Sequence, residues 1–330
     1  MPRHRFLCSA MLLLAACGSG DSADDTSEVS ADRPEDCLTF DGDVTLENLR
    51  DVCADDLPVC VAGNVFEAEE PSRVSDADLA ALGCVVAVDG DVNLIQNEDL
   101  GTLDGLAGLV TVGGSVTVQS NPSLENLLGL SSLRTIGGDL TLTSNSNLDE
   151  LEPGSMAALE TVGGSVRLYR SYADFPALTT IRGDLDYHES GTTLGFNALT
   201  RIEGSLLVIG DSYLHFIELN ALTEVGADLV LDSNYSIWEH GMPGLQTVGG
   251  RFELSGEPMD GVPGLGSLSR VGSLSITYLE CADIELPGLE TVDSDVYIAY
   301  NRFLAPETAE AFVDRLSVGG DILLEHNGEG

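Results

Sequence analysis

The residues of this 330-residue chain best suited to chemistry are carboxylates set two apart across a glycine, Asp41-Gly42-Asp43 and Asp89-Gly90-Asp91. Calcium collects several oxygen ligands, so paired carboxylates at a turn could contribute to a calcium site. Neither pair continues into a helix-loop-helix calcium loop or a calcium-binding nonapeptide repeat. The main expectation at Asp41, Asp43, Asp89 and Asp91 is therefore turn chemistry on a solvated acidic surface, with calcium as the subsidiary one. No other metal or cofactor is expected. His188, His215, His240 and His326 are scattered without ligand spacing, and no Cys/His spacing suggests zinc. There is no GxSxG elbow, HExxH, Walker loop or dinucleotide fingerprint, and the GGSV and GGDL strings recur too often to be phosphate loops. The chain is not expected to be an enzyme.

Two further residue types carry covalent chemistry. Arg3, His4 and Arg5 precede an apolar run from Phe6 to Ala16, too short for a membrane span but suited to a signal-peptide core. It ends in Leu14-Ala15-Ala16-Cys17-Gly18, which resembles the lipobox of bacterial lipoproteins. The resemblance implies that residues 1–16 are removed and that Cys17 is lipidated, with Gly18 rather than Asp as an outer-membrane sorting choice. Residues 17–36 then form an acidic, Ser-rich tether that cannot bury enough apolar surface to fold. The expected location is the cell envelope, as an outer-membrane lipoprotein touching the membrane through its lipid anchor alone.

Of the remaining cysteines, Cys37, Cys53, Cys60 and Cys84 crowd into the first coils, as expected of two disulfides that cap an exposed end. Three connectivities are open. Cys281 is left as a buried thiol. The charge balance is 14 basic residues, all Arg, against 55 acidic, a formal net charge of -41. A field of that sign repels nucleic acid and favours divalent cations or basic partners.

What must position all of these is a repeat. TFDGDVTL at Thr39 returns as AVDGDVNL, TVGGSVTV, TIGGDLTL, TVGGSVRL, TIRGDLDY, RIEGSLLV, EVGADLVL, TVGGRFEL, TVDSDVYI and SVGGDILL; RVGSLSI at Arg270 is one residue short. The apolar residue after each turn marks thirteen coils from Val44 to Ile322, a period of about 23 residues, within the range of leucine-rich-type coils. Before each turn apolar residues step by three, as in Leu130, Leu133 and Ile136, which suits an extended or short 3₁₀-like segment. After it they alternate, the period of a strand, with Leu140 in, Thr141 out and Leu142 in. Corner glycines permit positive φ or close backbone approach. An Asn five places past the marker (Asn97, Asn121, Asn145, Asn234, Asn301 and Asn327) would stack between coils and satisfy backbone groups turned inward. Residues 37–84 are expected to form the Cys-rich cap and first coils, 85–304 the solenoid, and 305–330 a helix and the last coil. Within that last stretch, Ala305 to Leu316 is the expected capping helix.

The pattern LxxLxx[IV]xGxLxLxxN, recurring over Cys37 to Asn327, resembles the receptor L-domain repeat of insulin- and epidermal-growth-factor-type receptors and, more closely, the related repeats of myxobacterial-type lipoproteins. The resemblance implies a mainly β fold, a right-handed β-helix of leucine-rich-like coils usually serving extracellular recognition. The receptors' cysteine-rich modules, membrane span and kinase have no counterpart in this sequence, so hormone binding is not implied.

One and three places past each marker lies the outward face of the sheet. In early coils it is polar: Thr117, Gln119, Thr141 and Thr143. In the middle coils it becomes Arg167 and Tyr169, Asp186 and His188, Leu207 and Ile209, then Val230 and Asp232. Contiguous exposed apolar surface marks interaction sites, and Trp238 and other loop aromatics are of hot-spot type. Arg167, Tyr169, His188, Leu207, Ile209, Val230 and Trp238 are the ligand-binding candidates, for an envelope or extracellular protein or glycan. The competing expectation is that loops fold over this patch as a satellite core. For the whole protein the alternatives are a structural envelope spacer and a polysaccharide-acting enzyme on a β-helix.

Overall fold

The computed structural model describes residues 34, 37–54, 57–67, 73–148, 155–173, 175–191, 193–211, 214–234, 239–256 and 264–328, with 239 and 240 as backbone only. The expected signal peptide, Cys17, the tether apart from Pro34, and Trp238 lie outside the described residues.

The chain is a mainly β, parallel-strand solenoid. Each turn carries two strands separated by the glycine corner. Two-residue strands such as Thr111–Val112, Thr135–Ile136 and Thr161–Val162 stack into one ladder. Four-residue strands such as Val92–Ile95, Val116–Gln119, Leu140–Thr143 and Val166–Tyr169 stack into the other, in register at the repeat period. The coil count is about eleven rather than thirteen. The first two markers, Val44 and Val65, join the second ladder only as isolated bridges, because the turns around them are given over to the disulfides and the short helix Leu49–Val52.

The three-residue steps point inward as their spacing demands. Leu130, Leu133 and Ile136 have no exposed surface, and Phe175, Leu178, Ile181, Leu219, Leu222 and Val225 repeat the arrangement. Asp104–Leu106 and Leu128–Leu130 take 3₁₀ form within these segments. Burying a Leu side chain contributes about 2 kcal/mol, and because every coil buries its own row against its neighbours', the core is one continuous column.

At the corners the two roles open to glycine separate. Only Gly42 there has positive φ. The others are needed for close approach: a Cβ on Gly138 would lie 2.5 Å from the Ser115 hydroxyl oxygen and 2.9 Å from the Gly114 backbone. That proximity lets the next residue act across coils. Ser115 N–H donates to Asp91 Oδ1 (2.7 Å), Asp139 N–H to Ser115 Oγ (3.0 Å), Ser165 N–H to Asp139 Oδ1 (2.7 Å), and the column continues to Arg251 N–H on Asp228 Oδ1 (2.7 Å).

A second polar column lies inside. Asn97 N–H donates to Asn121 Oδ1 (3.0 Å), Asn121 N–H to Asn145 Oδ1 (3.0 Å), while Asn121 Nδ2 donates to Leu94 O (2.9 Å) and Asn145 Nδ2 to Val118 O (2.8 Å). The column does not stop where Asn disappears. Ser171, Ser190 and Asp211 take the position in the middle coils, and Asp211 N–H returns to Asn234 Oδ1 (3.0 Å). The residue just before it turns the chain inward at positive φ in every coil, at Gln96, Ser120, Ser144, Arg170, Glu189, Gly210 and onward.

The middle coils add a third ladder, Thr193–Gly195, Phe216–Glu218 and Glu239–Gly241. The disulfides are Cys37–Cys60 and Cys53–Cys84, closing loops of 23 and 31 residues. Each is worth about 3 kcal/mol in the chain-entropy account. Cys281 is buried outside any disulfide. The C-terminal helix, Pro306–Asp314, buries Ala309, Phe312 and Val313 but runs within the last turn rather than beyond it. Among the described residues the last strand, Ile322–Glu325, pairs on one side only, with Ile322 at an inward position yet 49% exposed. No helix among the described residues is long and apolar enough to cross a membrane.

Replacing Asn121 by Ala orphans Leu94 O and Asn97 N–H in the interior and should cost about 2 kcal/mol of stability by denaturant unfolding. Thr117→Ala, on the outer face of the same coil, should stay within about 0.5 kcal/mol of the parent.

Candidate recognition face

The second ladder lines up its outward residues in two rows. One row runs Thr141, Arg167, Asp186, Leu207, Val230 and Glu253; the other runs Thr143, Tyr169, His188 beside Ile209, then Asp232 and Ser255. The parallel register thus brings six of the seven candidate residues onto one surface, and Trp238 lies outside the described residues.

Polar order fills the first part of this surface. Arg167 pairs with Asp139 Oδ2, whose other oxygen takes the Ser165 N–H. Partial burial pushes the Asp139 carboxyl up, but the Arg167 and Ser165 hydrogen bonds outweigh it and hold the pKa below the ordinary value. In the next rungs, Tyr169 meets the His188 ring edge-on at 6.4 Å between centroids, and the Arg170 guanidinium lies 5.1 Å over the Tyr169 ring while pairing with Glu189 (2.6 Å). His188 is held at both nitrogens, Nε2 to Asp186 Oδ1 at 2.6 Å and Nδ1 to Ile209 O at 2.8 Å. Both neighbouring oxygens are acceptors, which favours the protonated ring over the neutral one. The Asp186 hydrogen bond raises the His188 pKa; partial desolvation opposes it, and the Ile209 carbonyl adds to the rise.

Leu207 and Ile209 follow, both half-buried, and Val230 is 7% exposed. The apolar part of the face is therefore narrower than the alternation implies: Val230, between Leu207 and Glu253 across its two strand pairs, is largely covered. Of the other aromatics, Phe216 stands in the third ladder with His215 beside it, and Tyr172 packs over Gly191 on the turn side, so they do not share the sheet face. Tyr187 points inward, and burial, followed by the Asp211 and Tyr172 charges, pushes its phenol well above the usual range. Arg170 and Glu189 were not singled out from sequence. Their signal is the period itself, since both stand four places past their markers and so must be neighbours.

At the calcium candidates, Asp43 Oδ1 and Asp91 Oδ1 accept the next coil's N–H from Asn64 and Ser115. Asp41 is exposed, and Asp89 lies on the turn before Gly90. Among the described residues no group of three or more His, Cys, Asp or Glu is placed to hold a metal ion.

Histidine titration followed by NMR should place the His188 midpoint above 6.5, falling when Asp186 is replaced by Asn. Because the folded pKa is the raised one, the pair's contribution is complete below the unfolded value and is lost as pH rises through the folded one. At this exposure the loss should be under about 1 kcal/mol. A midpoint at or below 6.5 contradicts the pairing. Compared with known proteins, the chain matches no family model, and no curated protein or solved structure matches it significantly.

Proposed function

We propose that this protein is a lipid-anchored envelope protein whose solenoid presents the middle sheet face for recognition or adhesion, with a protein or a glycan as ligand. The observation that carries the reading is local. Leu207 and Ile209 sit half-exposed on a face that is otherwise mostly polar or charged, bordered by His188, Tyr169 and Arg167, each held in place by a partner. Preorganised polar groups around a small apolar patch provide orientation and burial at little entropic cost on binding. The anchor is proposed from the lipobox-like Leu14-Ala15-Ala16-Cys17, and the envelope location follows from it. The net charge of -41 supports a partner that is basic or uncharged rather than nucleic acid.

Immobilised protein should retain a defined envelope component saturably, and Leu207→Asp with Ile209→Asp should abolish retention. Thr117→Asp with Gln119→Asp, on the polar early coils, should leave it unchanged. Equal capture by all three proteins, or capture by none, would favour a structural spacer.

A further inference from the structure

The repeat that is one residue short, RVGSLSI at Arg270, changes the surface where it occurs. The corner there is flattened: Thr247–Ser255 and Arg270–Thr277 run as continuous strands through the position where other coils bend, with a register shift between Val248 and Arg251. The flattening breaks the corner column. Arg251 stands where Asp or Ser is usual and turns to Glu253 (2.8 Å), and Ser273 follows it. Among the described residues the hydroxyls of Ser273, Ser275 and Ser294 make no hydrogen bond.

A groove of about 610 Å³ opens at this break, floored by Gly250 and Gly272. Asp228 stands at one end and Asp295 at the other, three coils apart, so its length is about 14 Å at 4.8 Å per step. Each carboxylate gives one oxygen to a backbone N–H, Asp228 to Arg251 and Asp295 to Asp321. The second oxygens have no partner among the described residues. Tyr297 forms a wall, its ring steadied where its hydroxyl donates to Glu325 Oε1 (3.3 Å).

We propose that this groove is a second binding site, for a short stretch of uncharged glycan. A row of unpartnered hydroxyl and carboxylate oxygens suits a ligand carrying many hydroxyls, and a fixed aromatic face suits the C–H surface of a sugar ring. Anionic ligands are repelled by Asp228, Asp295 and Glu253, since Arg251 is already neutralised. The site lies further along the same outward row, where Ser275, three coils from Leu207, follows Glu253 and Tyr297 follows Ser275, and one variant distinguishes failure of the two.

The test is saturation-transfer NMR on the full chain with cellotetraose, maltotetraose and chitotetraose. At least one should receive saturation, and its affinity should fall at least tenfold in both Tyr297→Ala and Ser275→Arg, each checked for folding by circular dichroism. Ser275→Arg fills the groove from an outward position, so it remains informative if Tyr297→Ala unfolds. Leu207→Asp with Ile209→Asp should bind like the parent. No transfer to any of the three sugars, transfer unchanged in Ser275→Arg, or loss only in the Leu207/Ile209 variant would overturn the proposal.

Discussion

The structure depends on how it satisfies the backbone groups that its corners turn inward. A parallel ladder pairs N–H and C=O along the strands, but at each bend the main chain leaves the ladder while still packed between coils. An unpaired buried group there costs about 1–3 kcal/mol, repeated every turn. Side chains of the adjacent coil supply the missing partners. The Asp and Ser column does so at the glycine corner, and the Asn column, continued by Ser171, Ser190 and Asp211, does so at the inward turn. Because each residue bonds the next coil, register follows, and from register follow the core rows and the outward face.

That chain of dependence explains what could be read directly. Strict periodicity exposes the inward rows, the strand alternation and the Asn column, since each is a residue type required at a fixed offset. The cross-coil bonding of Ser115 and Asp139 was less visible, because Asp and Ser at turns usually bond within their own turn. The third ladder was missed for a related reason. Leu194, Ile217 and His240 align in only three coils, too few to stand out as a repeat. Disulfide pairing required distances, and the coil count fell from thirteen to about eleven where Val44 and Val65 keep the marker residue without a full strand.

The candidate face was legible in part. Offsets from the markers placed Arg167, Tyr169, His188, Leu207 and Ile209 together, because parallel register turns equal offset into adjacency. Offset says nothing of side-chain cover, which is why Val230 is more buried than its position suggests. Nor does it reveal that His188 is pinned at both nitrogens. The same mechanism gives the face its rigidity: each rung is fixed by the columns behind it, so a change on the surface need not disturb the core.

The two polar columns hold the coils in register, and hydrogen exchange resolved to single amides tests them. The N–H groups of Asn97, Asn121, Ser115 and Ser165 are bonded to side chains of the neighbouring coil. They should exchange as slowly as the ladder amides of Leu140 and Val166. Exchange at the rate of exposed turns, with those ladder amides still protected, would contradict that bonding.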